Sequence, residues 1–203
     1  MRVIWGLATF DFVKVANPLV SYGAIRMASL LSHPAVPLVA AAVLGPSKVS
    51  RRLLLVAATA SVFPDLDVIG SWLGVPYSHP FGHRGFTHSI GFGILLGLVA
   101  IPFAARLKAA PHIVFFLVAL SAISHGVLDA MTDGGLGVAF LWPFSDNRFF
   151  LPWRPIQVTP MRIDGLFSRE GLRIVGSEIA VIWLPALVIG GLACRYANKR
   201  NGF

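Results

Sequence analysis

His83-Arg84-Gly85-Phe86-Thr87-His88-Ser89 is a short polar stretch between two long apolar segments. Its two histidines are five residues apart and enclose a glycine, which favours a tight turn leading into a helix. Neutral imidazole is the commonest metal ligand in proteins. Thr87 or Ser89 is predicted to cap the following helix. Taken alone, the stretch could equally be a polar loop that happens to hold two histidines.

The composition is that of a membrane protein. Hydrophobic residues make up 56% of the 203 residues and charged residues only 13%, which is too few for the surface of a soluble domain. The mean hydropathy is +0.74. Several apolar runs approach the ~20 residues that a bilayer-spanning helix needs. We therefore predict an all-α, polytopic helical membrane protein with about five membrane-embedded helices, at about 30–45, 53–74, 89–105, 111–131 and 174–194.

The net charge of +8 could indicate nucleic-acid binding. The basic residues, however, lie mostly in the connections between apolar segments, which suits membrane topology and anionic headgroups. We expect membrane lipids as partners and no nucleic acid. Cys194 is the only cysteine, so no intramolecular disulfide is possible and no redox compartment follows. The composition does not predict an oligomeric state.

The first 26 residues mix apolar and polar residues and are interrupted by Pro18, so no element is predicted there. Met27 opens a stretch that looks like a natural beginning. We expect 1–26 to be an upstream extension and 27–203 to be one domain. A signal peptide is the weaker alternative, because Asp11 and Lys14 break its apolar region.

Potential metal ligands converge on one side of the predicted bundle. Because the chain crosses once per segment, successive segment ends alternate between the two sides. One side receives four histidines and four acids, namely His33, Asp65, Asp67, His83, His88, His125, Asp129 and Glu178. The other side receives eight basic residues, namely Lys48, Arg51, Arg52, Arg106, Lys108, Arg195, Lys199 and Arg200.

Acidic residues inside apolar segments need a polar environment. A charged side chain at the bilayer centre costs about 2.5–3.5 kcal/mol, so Asp65 and Asp67 are expected to face protein, metal or water. His125 and Asp129 are four residues apart and share a helix face, which suits two metal ligands or one ligand and its orienting partner. A helix end that reaches water is the alternative for the first pair, and a polar contact between helices is the alternative for the second.

This set of histidines and carboxylates suits zinc, with manganese or iron as further options. It is too large for one closed tetrahedral site, so we expect more than one ion, or one ion with many supporting groups. Metal-assisted hydrolysis is the inferred reaction, with activated water attacking a phosphoester. Asp67, His88 and Arg84 are the predicted catalytic residues. Arg148 and Arg154 are predicted substrate contacts, although contact with interfacial lipid explains them equally well.

Four motifs carry a family resemblance: Ser32-His33-Pro34, Pro64-Asp65-Leu66-Asp67, the stretch 83–89, and His125-Gly126-Val127-Leu128-Asp129. They resemble the YdjM-like family, whose members are described as LexA-regulated or membrane-bound, metal-dependent hydrolases. The resemblance covers about 30–190, and H-R-G-x-T-H-S is its most specific part. The family is grouped with the zinc-dependent phospholipase C and single-strand nuclease superfamily. That grouping implies metal ligands at His33, Asp65, His83, His125, Asp129 and Glu178.

The positive-inside rule places the basic side in the cytoplasm and the ligand side on the non-cytoplasmic face of a bacterial inner membrane. Arginines in the long connection at about 132–172 weaken this orientation. Two other functions stay open: an ion or proton transporter that uses the same cluster, and a non-catalytic, metal-stabilised membrane protein. A transport path needs polar residues through the full membrane depth. Here they gather at one end, which favours the hydrolase.

Overall fold

The computed structural model describes residues 3–5, 8–10, 26–27, 31–160 and 168–200. Most of these residues are helical. The helices are α1 (Ala35–Leu44), α2 (Arg51–Val62), α3 (Val68–Trp72), α4 (Ile90–Ala100), α5 (Ala104–Leu107), α6 (Pro111–Ala130), α7 (Arg169–Glu178) and α8 (Leu184–Arg200). Short 3-10 turns at Phe63–Asp67, Phe86–His88 and Ile101–Phe103 and a π turn at Ile179–Trp183 adjoin them.

Four stretches of this described chain are long and apolar enough to span a bilayer. Numbered after the predicted segments that they match, they are the second span (Arg51–Trp72), the third span (Ile90–Leu107), the fourth span (Pro111–Ala130) and the fifth span (Gly171–Ala197). The first predicted segment, at about 30–45, corresponds to α1, whose 10 residues are about 15 Å long, half of the hydrocarbon thickness. The prediction of a polytopic helical membrane protein is confirmed, with four spans and one shorter apolar helix that packs against α8 and α2.

Four short strands, which the sequence does not predict, accompany the helices. Strands β1 (Val3–Trp5) and β2 (Ala8–Phe10) pair antiparallel, and β3 (Arg26–Met27) pairs antiparallel with β4 (Thr159–Pro160). The second pair ties the chain ahead of α1 to the long connection between α6 and α7. Most of the predicted extension at 1–26 lies outside the described residues, so the native start at Met27 stays a prediction.

Helix α6 is the central helix of the bundle, with 61% of its apolar window buried against 17% for Gly171–Ala197. α4 approaches it closely at Gly97, where a Cβ atom would lie 2.8 Å from the carbonyl oxygen of Phe115. Small residues allow such backbone approach between membrane helices. On another side of α6, Leu117 packs with Leu53 of α2 in the apolar core. Side chains that point inward from α6 are therefore held by several neighbours.

The second span changes its geometry where its aspartates occur. Pro64, at the start of the 3-10 turn, has no N–H and interrupts the α-helical hydrogen bonding. The turn directs Asp65 inward, where it is 6% exposed, while Leu66 is 52% exposed. The side chain of Asp67 is 3% exposed. Of the three predicted environments (protein, metal or water), the structure places both carboxylates inside the protein.

Candidate metal centre

The loop His83–Ser89 ends at the N-terminus of α4. Ser89 Oγ accepts a hydrogen bond from the Phe92 N–H at 3.0 Å, which confirms the predicted cap at Ser89. Arg84 has φ 61°, a left-handed conformation that costs a non-glycine residue about 1–3 kcal/mol. Its N–H donates to Asp67 Oδ2 at 3.2 Å. A carboxylate from the preceding span thus holds the loop in this conformation.

Asp67 connects the loop to the second span. Its Oδ1 lies 2.7 Å from His83 Nδ1. Its Oδ2 accepts from Thr87 Oγ1 at 2.7 Å and lies 3.2 Å from His88 Nδ1. Because a carboxylate accepts hydrogen bonds, these contacts assign the proton of each imidazole to Nδ1 and leave Nε2 with a free lone pair. Asp67 therefore orients both histidines and selects their tautomers.

His125 is oriented by a backbone group. Its Nδ1 donates to the carbonyl oxygen of Ser61 at 2.7 Å, so its Nε2 is also an acceptor. Gly126 lets α6 approach the loop, because a Cβ atom there would lie 2.7 Å from the carbonyl oxygen of His88. The Nε2 atoms of His88 and His125 lie 3.0 Å apart. Two acceptors that face each other this closely need a proton or a cation between them.

Asp65 and Asp129 complete a buried group of four possible ligands with these two histidines, the candidate metal group (Asp65, His88, His125 and Asp129). His88 Nε2 lies 3.6 Å from Asp65 Oδ1 and 3.2 Å from Asp129 Oδ2. His125 Nε2 lies 3.3 Å and 3.7 Å from the same two oxygens. Tetrahedral coordination with bonds of about 2.0–2.1 Å places neighbouring ligand atoms about 3.3 Å apart. The spacing and the donor types fit a tetrahedral divalent cation.

The carboxylates also affect protonation of the loop. Burial alone would lower the pKa of the His88 imidazole, but the nearby carboxylates of Asp129, Asp65 and Asp67 raise it well above its ordinary value. In the absence of a cation, the group therefore binds a proton on His88. Metal ligation requires neutral imidazole, so a bound ion would replace this proton.

Arg84 is a buried positive charge beside the four-residue group. Its Nε lies 3.0 Å from Asp129 Oδ2, and its Nη2 donates to Asp129 Oδ1 at 3.3 Å. Its Nη1 donates to Thr132 Oγ1 at 3.0 Å and to the carbonyl oxygen of Gly134 at 2.8 Å. Burial alone would lower the pKa of Arg84, but Asp129 raises it above the ordinary value. Asp129 therefore already has a cationic partner. Within the described chain, neither oxygen of Asp65 has a hydrogen-bond partner.

His83 is a predicted ligand that the structure does not bring into the four-residue group. It instead forms a second candidate group with Asp67 and His88, and its ring centroid lies 5.4 Å from that of His88. Its Nε2 is buried and has no hydrogen-bond partner among the residues described. The direct contact between His83 Nδ1 and Asp67 accounts for this second group without an ion.

His33 and Glu178 lie beyond His125. The ring of His33 stacks on that of His125 with centroids 3.8 Å apart, and neither ring nitrogen has a hydrogen-bond partner in the described part of the chain. Glu178 Oε2 accepts from Ser32 Oγ at 2.6 Å. Both residues are buried on the predicted side of the bundle. Neither belongs to a described ligand group, and their roles as ligands stay predictions.

The two predicted substrate contacts differ in position. Arg148 is buried and donates to the carbonyl oxygens of His83 at 2.9 Å and Tyr77 at 3.0 Å, so it supports the loop. Arg154 is exposed, and its guanidinium lies 4.9 Å from the ring centroid of Phe150. No contact in the described chain joins it to the metal group. Their contacts with a phosphate stay predictions.

Ser61 and Tyr77 are not among the predicted site residues. Ser61 orients His125 through its backbone carbonyl, for which a sequence carries no signal. Tyr77 packs edge-on against His83 with ring centroids 5.2 Å apart, and burial raises the pKa of its hydroxyl. The connection at 75–88 also contains Phe81 and Phe86, so the sequence does not single out Tyr77 for this contact.

Residues 27–201 match the model of a family described as YdjM inner membrane protein. The chain belongs to the YdjM family. Inner membrane protein YbcI of Escherichia coli (strain K12) is 38% identical over 167 residues, which cover 82% of this chain and 96% of that protein. No solved structure matches the chain. The family resemblance of the motifs is confirmed. This YdjM-family chain is an integral inner-membrane protein with a buried His/Asp group that could bind a metal.

Proposed function

We propose that this YdjM-family protein is a membrane-bound, metal-dependent hydrolase that acts on a phosphoester at the membrane face. The observation that carries the proposal is the pair of Nε2 lone pairs of His88 and His125, 3.0 Å apart between two buried carboxylates. The nitrogen and oxygen donors suit zinc best, and manganese or iron are alternatives. When bound, the ion supplies Lewis-acid polarisation of the phosphoester and a water of lowered pKa.

The contacts of Asp129 favour a catalytic over a purely structural site. Structural zinc sites use four protein ligands, whereas catalytic sites use three and leave one position open. Asp129 is already paired with Arg84, through Nε at 3.0 Å. Asp65, His88 and His125 are then the three permanent ligands. Asp129 stands at the fourth corner, and its ion pair with Arg84 allows it to give up this corner to water or substrate.

His83 is the group that accepts a proton from the attacking water. Asp67 Oδ1 holds its Nδ1 at 2.7 Å, an arrangement that orients the general base in many hydrolases. Its Nε2 remains a buried acceptor without a partner in the described chain. In this assignment Asp67 positions the base, and His83 acts without being a ligand.

A metal-stabilised protein without catalysis is the second candidate, because four ligand atoms at tetrahedral spacing can also form a closed site. Transport has less support. The core at the opposite end of the bundle, around Leu53, Leu117 and Val118, is apolar and offers no continuation of the polar group.

The test is a hydrolysis assay on detergent-purified protein loaded with zinc or manganese. Chromogenic phosphomonoesters and phosphodiesters and defined phospholipids serve as substrates. We expect metal-dependent turnover in the wild type. His83→Gln should lose turnover by a factor of about 10²–10⁴, the usual contribution of a general base, while keeping its metal. The matched control is His112→Gln, because His112 is exposed and lies at the opposite end of α6. This substitution should change neither the turnover nor the metal content. Stoichiometric metal without turnover on any of these substrates would favour the structural site.

A further inference from the structure

An apolar groove runs between the second and third spans, from Arg52 and Arg106 at the end of the bundle away from the metal group to Phe63. Its volume is about 620 Å³, within the range of about 300–1,000 Å³ that is typical of small-molecule sites. Its walls come from α2 and α4, and Val118 of α6 contributes to the lining. The wall residues are Leu55, Val56, Ala60, Leu96, Val99 and Phe103.

Two arginines contribute to the lining at the membrane-face end of this groove. Arg52 lies in the first turn of α2, and Arg106 lies in α5, at the end of the third span. Both are exposed, and Arg52 Nη1 donates to the carbonyl oxygen of Arg106 at 3.1 Å. Ser50 Oγ also donates to the carbonyl oxygen of Leu107 and joins the same two helix ends. These bonds join the two helix ends that carry Arg52 and Arg106, and they hold the Arg52 guanidinium at this end of the groove.

We propose that this groove binds one acyl chain of an anionic phospholipid, with the lipid phosphate between Arg52 and Arg106. The apolar walls match a hydrocarbon chain, and guanidinium groups match a phosphate by charge and by hydrogen-bond geometry. A peptide is a poorer occupant, because apolar walls at bilayer depth leave its backbone hydrogen bonds unsatisfied.

This site is separate from the metal group. Asp65 follows Arg52 by 13 positions in one span. At the helical rise of 1.5 Å per residue, the two lie about 20 Å apart along the axis. A phosphate held by Arg52 therefore does not reach the metal ligands, so the bound lipid is not the substrate of the proposed hydrolase. The inference does not depend on that activity.

The experiment measures lipid retention by native mass spectrometry. Delipidated full-length protein in detergent is incubated with equal amounts of phosphatidylglycerol and phosphatidylcholine that carry identical acyl chains. We expect the wild type to retain phosphatidylglycerol preferentially. Arg106→Gln should weaken retention about fivefold, the effect of one basic residue near an anionic headgroup. The matched control, Arg195→Gln, removes an exposed charge from the same membrane face and should have no such effect.

Groove filling tests the second half of the proposal. Thr59→Phe places a ring in the groove and should lower retention of both lipids. The control is Leu98→Phe, which adds a ring at an exposed position of α4 outside the groove lining. Equal losses in Arg106→Gln and Arg195→Gln would overturn the phosphate site. Unchanged lipid retention in Thr59→Phe, or no retention of phosphatidylglycerol by the wild type, would overturn the proposal that the groove binds an acyl chain. Arg52→Gln replaces Arg106→Gln if the latter does not purify as a monodisperse protein.

Discussion

The two ends of the bundle bury different kinds of side chain: one end buries polar residues, and the other buries apolar residues. At the metal end, α6 buries His125 and Asp129 against a loop that holds two further imidazoles. At the other end, the same helix buries Val114 and Leu117 in an apolar core, and the charges lie outside it. The apolar end can be maintained by shape and volume alone. The metal end needs a hydrogen-bond partner or a cation for every buried polar atom.

This difference explains why the metal end contains irregular backbone. Peptide groups that do not belong to a helix must find partners before they can be buried in a membrane protein. Arg148 supplies donors to the carbonyl oxygens of Tyr77 and His83, and Asp67 accepts from the N–H of Arg84. The polar side chains of this end therefore support the loop as well as the proposed chemistry. Changes at this end should have larger effects than matched changes elsewhere.

The largest expected difference between the two ends is in metal content. His125→Ala removes one of the proposed permanent ligands and should reduce bound zinc or manganese from stoichiometric amounts to background. His112→Ala changes a histidine of the same helix at the opposite end and should retain the full content. Elemental mass spectrometry on detergent-purified protein measures both. A full metal load in His125→Ala would show that His125 makes a polar contact and is not a metal ligand.

A smaller effect is expected when a ligand is kept but its orienting partner is changed. Asp67→Asn removes the charge that selects the tautomers of His83 and His88. Loss of such a partner typically lowers metal affinity about 10–100-fold. Competition with a chromophoric chelator measures the affinity, and Asp146→Asn is the control because Asp146 is exposed. Equal metal affinities in the two variants would show that Asp67 does not support metal binding.

The smallest effect concerns packing. Gly126→Ala places a Cβ atom 2.7 Å from the carbonyl oxygen of His88 and should destabilise the protein by about 1–3 kcal/mol. Gly191→Ala has no atom within 4 Å of the new Cβ and should stabilise its helix by about 0.5–1 kcal/mol. Thermal unfolding in detergent compares the two. If Gly126→Ala is as stable as Gly191→Ala, close approach of α6 and the loop is not needed.

Much of the architecture can be predicted from the sequence. The apolar segments predicted at about 53–74, 89–105 and 111–131 correspond to spans at Arg51–Trp72, Ile90–Leu107 and Pro111–Ala130. Their lengths are limited by the bilayer, and their ends are marked by charged residues, prolines or capping residues such as Ser89. The alternation of sides also places His33, Asp65, His125 and Asp129 together, as the structure does.

The composition of the ligand group cannot be predicted in the same way. Eight residues are predicted on one side of the membrane, but among the described residues only Asp65, His88, His125 and Asp129 bring ligand atoms into one group with tetrahedral spacing. Their neighbour His83 belongs to a different contact with Asp67. This distinction depends on side-chain direction around each helix axis and on the path of a loop, which hydropathy does not record.

The sequence by itself determined that the chain is a helical membrane protein of this family, and it predicted eight potential metal ligands on one face and eight of the basic residues on the other. Bilayer thickness and the cost of buried charge are strong enough to impose these features on any sequence of this pattern. Only the tertiary structure decided which nitrogen of His83, His88 and His125 is free, because that depends on the hydrogen bonds that their Nδ1 atoms donate to Asp67 and to the carbonyl oxygen of Ser61. It also decided that Arg84 pairs with Asp129, since residues 45 positions apart in the sequence meet only when α6 packs against the loop.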